Sequence, residues 1–273
     1  MMSILKCVQW AFAFFPRWFM QATVRFLFFI VYFFLKELRQ IGMRNFKAVY
    51  ANQKTQHEIE RMTKMNIKNV GYSMMDMLYF VDRPKEFAQI ATVSGEDHLK
   101  SALTLGHGVI GITAHLGNFP LMFLTLIERG YKVNIIIRPM RDEKFGEFMH
   151  NECAKWNIQM IELYPQKEFL RKSFQALKQN ELLFILLDEL VPDHTGVRVP
   201  FFGREVERAV GPMMFYERFK SPIVPMFMVK DDRGHFDILI KEPIKIIETQ
   251  DRNFDNIQNI SRMTKVIEEV VAA

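Results

Sequence analysis

The stretch that decides the fold is Gly108-Val-Ile-Gly-Ile-Thr-Ala114-His115-Leu-Gly-Asn118-Phe-Pro120, which runs on into the apolar segment Leu121 to Ile127. A short apolar run with no polar alternation, ending in a polar residue, reads as a strand buried on both faces. A tight turn at Gly117 then leads into a helix over 121–129. Working outward, the same alternation repeats. Strands are expected at 132–137, 159–162, 182–187, 223–229 and 236–241. Helices are expected at 95–105, 142–156, 169–179, 209–219 and over the last stretch to Ala273. The pattern predicts an α/β fold: a mixed, partly parallel central sheet flanked by helices. In such sheets chemistry collects at the carboxyl ends of strands. Three strands here end in polar residues, at His115, Arg138 and Asp188.

The amino-terminal part has a different character. Nine phenylalanines fall within residues 12–34, beside Trp10, Trp18 and Tyr32. Residues 1–54 carry Lys6, Arg17, Arg25, Lys36, Arg39, Arg44, Lys47 and Lys54 against Glu37 alone, while the whole chain has a net charge of +5. A clean membrane span is not expected, because Arg17 and Arg25 interrupt the segment. The uncharged run Phe26 to Leu35 has ten residues, against the roughly 20 that a straight span needs. Pro16 marks a break or a helix start. Rings mixed with cations suit the headgroup region of a bilayer, so residues 1–40 are read as a membrane anchor and 41–273 as one α/β domain. No small-residue cleavage site follows, which argues against a signal peptide. From Leu38 to about Asp82 the pattern is helical, and its Met-rich face reads as plastic core.

Composition removes whole classes. With 49% apolar and 25% charged residues, the chain is neither disordered nor fibrous. Two cysteines, Cys7 and Cys153, exclude a disulfide scaffold and read as reduced. A basic segment on a near-neutral body points to a local anionic partner such as a membrane surface, not to nucleic acid. Gly106-His-Gly108-Val-Ile-Gly111 fits the spacing of a dinucleotide fingerprint, but its glycines precede the strand instead of following it. The seven histidines lack ligand spacing, so no metal is expected. There is no phosphate-binding lysine loop and no serine nucleophile elbow.

A set of segments spread over nearly the whole chain carries a resemblance. They are His115-Leu-Gly-Asn118-Phe, Ile137-Arg138-Pro139, Leu186-Leu-Asp188-Glu189, Gly196-Val-Arg198-Val-Pro-Phe201-Phe202-Gly203, Val210-Gly-Pro212 and Ser221-Pro-Ile-Val-Pro225, with Arg44-Asn-Phe46 after the hydrophobic segment. Together they resemble the late (lauroyl/myristoyl-type) lipid A biosynthesis acyltransferases and their lysophospholipid-type relatives. The resemblance implies transfer of a fatty acyl group from acyl carrier protein or coenzyme A to a hydroxyl of a membrane glycolipid, such as a lipid A precursor. It implies the cytoplasmic face of a bacterial inner membrane, with no cofactor and no metal. His115, Arg138 and Asp188 are the expected catalytic residues. Asn118, Glu189, Arg198, Phe201, Phe202 and Gly203 are the expected substrate-binding residues.

The residue chemistry fits that implication. A hydroxyl attacking a thioester needs a base, and a neutral histidine near pH 7 suits the task, which assigns the base to His115. Arg138 is placed to stabilise developing charge or to hold a substrate phosphate. It is equally able to pair with Asp188 across neighbouring strand ends, and Asn118 to cap the following helix. The resemblance departs from the family pattern in one important place. The family has an acid five residues after its histidine to orient the imidazole, and here Pro120 stands there. Leu190 likewise replaces a second acid. Asp188 is the expected substitute, with Glu189 second. The alternative is a catalytically weak or inactive relative that binds membrane lipid. A carboxylate within about 3 Å of a His115 ring nitrogen separates the two, and favours the enzyme. The family also continues into a Trp-rich segment, whereas this chain stops at Ala273.

Overall fold

A strand with no polar face belongs in the middle of a sheet, and β2 (Val109–Thr113) lies there with all five residues buried. The computed structural model describes residues 15–50, 53–140, 142–189, 191, 195–231 and 234–272. Lys6, Cys7, Trp10, Phe12, Phe14, Leu190 and His194 lie outside the described residues. Strand β2 pairs in parallel with β5 (Leu182–Leu186) on one side and β8 (Ile223–Lys230) on the other. Beyond β5 come β3 (Val133–Ile137) and β4 (Gln159–Glu162), both parallel. On the opposite flank β9 (Phe236–Ile240) runs antiparallel to β8, and β1 (Ala91–Ser94) runs parallel to β9. Among the described residues this makes a seven-stranded sheet of order β1-β9-β8-β2-β5-β3-β4.

Helices cover both faces because the strands alternate. Ile110 and Ile112 of β2 face a core that includes Phe215 of α9 (Gly211–Phe219) and Met263 and Ile267 of α10 (Arg252–Ala272). Gly111 points the other way, where a Cβ would stand 2.7 Å from the Phe184 ring. That ring lies 4.7 Å from Phe123 of α6 (Phe119–Glu128), between ring centres. The remaining helices of this unit are α4 (Pro84–Ile90), α5 (Glu96–Leu103), α7 (Glu143–Lys155) and α8 (Gln166–Lys178). The partly parallel sheet and most elements expected around β2 are present within a few residues, but the carboxyl-terminal helix begins only at Arg252. Three strands were not expected: the short edge strand β1, and the antiparallel pair β6 (Val197–Phe201) and β7 (Arg204–Arg208).

Residues up to Arg83 form a separate compact unit, distinct from Pro84–Ala273. Helix α1 (Arg17–Phe34) starts after Pro16, and α2 (Lys36–Tyr50) follows at 87° to it. Residue 40 lies inside α2. The single helical run expected from Leu38 to Asp82 is broken before α3 (Gln56–Phe80). The cause is a capping box. Thr55 accepts the Glu58 N–H, and the Glu58 carboxylate accepts the Thr55 N–H at 2.7 Å. On α3 the buried residues are Ile59, Thr63, Ile67, Met75, Asp76 and Phe80, whereas Met65, Val70 and Met74 are exposed. The methionine face is therefore only partly core. Among the described residues no single helix is long and apolar enough to cross a membrane; the bent pair α1 and α2 together has the length and composition.

Candidate active site

Two neighbouring strand ends build the site. The register Thr113↔Leu186 is prolonged by Leu187 N–H donating to the Thr113 carbonyl at 3.0 Å. Two steps beyond that register, His115 stands beside Asp188. The chain turns sharply at His115, with Leu116 N–H donating to the Ala114 carbonyl at 2.7 Å. Such a three-residue turn takes the N–H of its middle residue out of the ladder. Asp188 Oδ2 accepts that His115 N–H at 2.9 Å, and Asp188 Oδ1 lies 3.1 Å from ring Nδ1. The next bend requires glycine. Gly117 has φ +60°, and a Cβ there would stand 2.1 Å from the Met228 carbonyl oxygen of β8.

Asn118 and Pro120 begin α6. Asn118 is buried at the N-cap, but its side chain makes no capping bond to the helix. Pro120 sits in the first turn, where a missing N–H leaves no helical bond unmade. The Phe119 ring stands edge-on to the imidazole, 5.3 Å between centres and at 84°.

The electrostatics of the pair follow from the geometry. The hydrogen bond from Asp188 raises the His115 pKa above its ordinary value, and burial opposes it only in part. Burial pushes the Asp188 carboxyl up, but the bonds from the His115 ring and backbone N–H outweigh that and hold it below its ordinary range. The carboxylate thus keeps a proton on Nδ1 and leaves Nε2 with the lone pair whenever the ring is neutral. The His115 side chain is 46% exposed, so Nε2 can be reached from solvent.

Glu189 links this pair to the next strand end. Its Oε1 lies 3.9 Å from His115 Nε2 and its Oε2 lies 3.5 Å from Arg138 Nε. Arg138, at the end of β3, therefore pairs with Glu189, not with Asp188. Both partners are about half exposed. An ion pair so wet is weak.

The remaining expected residues occupy a different element. Arg198, Phe201, Phe202 and Gly203 all belong to the β6–β7 hairpin, in which Arg198 faces Glu207 and Phe201 faces Arg204. Phe202 and Gly203 form its two-residue turn, both with positive φ (49° and 71°), the geometry that matches strand twist. Val197 and Val199 point into the core and Arg198 and Pro200 point out. The Phe202 N–H donates to Glu268 of α10 at 2.6 Å. The run with the most recognisable spelling is thus a packed hairpin.

Two residues near the site were missed by the sequence reading: Phe119, and Arg208 at the end of β7. Arg208 is 2% exposed. Its Nη1 donates to the Asp188 carbonyl at 2.7 Å, and its guanidinium lies 4.7 Å from the centre of the Phe201 ring. A signal for the hairpin exists in the alternation around Phe202-Gly203; none exists for Arg208, because a buried arginine has no local pattern. Among the described residues no group of three His, Cys, Asp or Glu side chains is arranged to hold a metal ion. Cys153 is a free, half-buried thiol whose pKa burial pushes up to about 11.

Comparison with known proteins supplies the context for this edge. The model of the family described as "Bacterial lipid A biosynthesis acyltransferase" matches residues 1–273. A phosphatidylinositol mannoside acyltransferase of Mycobacterium tuberculosis is 24% identical over 145 residues, which is 52% of this chain and 45% of that protein. The same enzyme from a second strain is 23% identical over 145 residues. The matched stretch thus spans under half the length of these relatives.

Proposed function

The chain belongs to the bacterial lipid A biosynthesis acyltransferase family, and from that premise we propose that it moves a fatty acyl group from an acyl thioester to a hydroxyl of a membrane glycolipid. The observation that carries this reading is the 3.1 Å approach of Asp188 Oδ1 to His115 Nδ1. It supplies the imidazole with the orienting carboxylate that Pro120 cannot. The alternative of an inactive lipid-binding relative drew on that missing acid, and the Asp188 contact favours the enzyme over it.

In the proposed reaction the acceptor hydroxyl gives its proton to His115 Nε2 as its oxygen attacks the thioester carbonyl carbon. The imidazolium formed is stabilised by ionised Asp188. Negative charge develops on the carbonyl oxygen, and Arg138 at the neighbouring strand end is proposed to stabilise it. The tetrahedral intermediate collapses with cleavage of the C–S bond, and the thiolate takes the proton back from Nε2. No net proton is gained or lost by the protein. The donor carrier is acyl carrier protein or coenzyme A. Asn118, Glu189, Arg198, Phe201, Phe202 and Gly203 remain proposed for substrate contact. Of these, Glu189 has the strongest support through its position between His115 and Arg138.

The proposed location is the cytoplasmic face of a bacterial inner membrane. Trp18, Phe26, Phe33 and Phe34 of α1 are each at least 66% exposed, an expensive surface to leave in water. Lys36, Arg39, Arg44 and Lys47 lie along one open stretch of α2, which suits anionic headgroups. The direct test incubates purified full-length protein with radiolabelled acyl-coenzyme A or acyl-carrier protein and a bacterial glycolipid extract. Label is expected in the glycolipid band with wild type and absent with His115→Ala. Equal labelling by both proteins would reject the histidine-base reaction.

A further inference from the structure

Arg208 is an unusual occupant of a protein interior. An arginine is almost never fully buried unless it is paired, and even a whole buried ion pair can often be replaced by apolar side chains of similar volume without loss of stability. Here Nη1 finds the Asp188 carbonyl at 2.7 Å, while Nε is buried without an acceptor among the described residues. Burial pushes the guanidinium pKa down and the nearby Asp188 charge opposes that shift. Packing alone does not explain the choice of residue.

The acceptor does. Strand β5 has ended at Leu186, so the Asp188 carbonyl lies past the sheet ladder and takes its donor from a side chain. That carbonyl belongs to the residue whose carboxylate grips both the N–H and the ring of His115. The guanidinium is itself held. The Phe201 ring lies against it at 4.7 Å, and the base of the hairpin is fixed where Gly196 N–H donates to Glu207 Oε1 at 3.1 Å. A Cβ on Gly196 would stand 2.2 Å from the Arg208 carbonyl oxygen, so the backbones close up there. A chain of contacts thus runs from the hairpin to the acid.

We propose that Arg208 is a positioning residue, which fixes the main chain at Asp188 so that the carboxylate stays on His115 Nδ1. Phe201 then serves as the platform on which the guanidinium lies, which gives the Pro200-Phe-Phe-Gly203 run a role in catalytic geometry. The inference rests on the reading of His115 as a base oriented by Asp188.

The test is a pH titration of the His115 ring by NMR in full-length, histidine-labelled protein in detergent micelles, with the signal assigned by its loss in His115→Ala. In wild type the midpoint is expected above the ordinary value of about 6.5. Asp188→Asn should lower it. Arg208→Met, close in volume and unable to donate, should lower it towards the Asp188→Asn value, and Arg208→Lys should restore at least half of the difference. Turnover should follow, with kcat falling about tenfold or more in Arg208→Met and KM little changed. If Arg208→Met does not fold, Arg208→Gln carries the same expectation, its amide being too short to reach the Asp188 carbonyl. A midpoint that stays at or above the wild-type value in the folded variant overturns the role of Arg208. If Asp188→Asn also leaves the midpoint unmoved, the failure lies in the base reading itself.

Discussion

Asp188 holds His115 at two points: one carboxylate oxygen accepts the backbone N–H at 2.9 Å and the other lies 3.1 Å from ring Nδ1. The first contact fixes where the residue sits, and the second fixes how its ring is turned. Asp188→Asn keeps the shape but removes the preference for a proton on Nδ1. In the serine protease triad the same change costs about 10⁴ in turnover. Here kcat is expected to fall roughly 10²- to 10⁴-fold by that analogy, with the melting temperature lowered only slightly. Turnover within threefold of wild type would show that Asp188 does not orient the base.

The opposite pKa shifts set the pH dependence. The base must be neutral, so kcat/KM should rise with pH through the raised His115 value, with its half-maximum above the ordinary histidine value of about 6.5. Stability behaves differently. His115 is raised in the folded state, so its contribution is full below the unfolded value and is lost as pH rises through the folded one. Asp188 is depressed, so its contribution is present above the unfolded value and is lost as pH falls through the folded one. Activity should therefore climb over the range in which the His115 contribution to stability fades. A kcat/KM profile with its acid limb below pH 6 would contradict the assignment.

Gly117 is a position where backbone and site coincide. With φ +60° and a Cβ that would fall 2.1 Å from the Met228 carbonyl oxygen, Gly117→Ala is strained twice over. The left-handed conformation alone costs roughly 1–2 kcal/mol, and the clash forces β8 or the turn to shift. The melting temperature is expected to drop by about 5–10 °C for a chain of this size. Activity should fall further than that loss of stability explains, because the turn carries His115. Calorimetry beside a turnover assay measures both; an unchanged melting temperature would exclude the tight approach.

These predictions draw on different depths of the sequence. Alternation of apolar strand and helix made the sheet legible, and the polar residues at three strand ends pointed to its carboxyl edge. The pairing of His115 with Asp188 was legible as well, since parallel neighbours of equal length end together. Two features stayed hidden. The β6–β7 hairpin was passed over because Phe202-Gly203 lacks the usual Asn-Gly spelling of its turn. Arg208 was passed over because its partner is a carbonyl 20 residues away, which no periodicity encodes. The methionines of α3 misled for the converse reason. Helical spacing marks a face, but only packing decides whether that face is covered.

If α1 and α2 meet a membrane as proposed, their aromatic surface and their cations should respond differently to salt. Each cation near an anionic surface contributes about 1 kcal/mol and is screened by salt. Burying a phenylalanine contributes roughly 1.5–3 kcal/mol and is not. Wild type should therefore stay on anionic vesicles in 1 M salt. A variant with Trp18, Phe26, Phe33 and Phe34 all changed to serine should bind them only at low salt. Vesicle co-sedimentation reads both, and complete release of wild type by salt would exclude aromatic insertion.

Pro120 stands where the resemblance to the family implies an acid. Because Asp188 already occupies the place beside Nδ1, a second carboxylate has no ring nitrogen left to orient. If it reached the ring at all it would compete for Nε2, the atom proposed to receive the proton. Pro120→Glu should therefore leave turnover within about threefold of wild type, or lower it by drawing the ring towards the wrong tautomer. In an Asp188→Asn background the place is vacant, and there Pro120→Glu should recover part of the lost activity. Pro120 lies in the first turn of α6, where proline presets the backbone, so its loss also lowers stability by a small amount. Variants are thus to be compared well below their melting temperatures. A large gain in turnover from Pro120→Glu alone would mean that Asp188 does not orient His115 during the reaction, and that the enzyme lacks a working acid without the substitution.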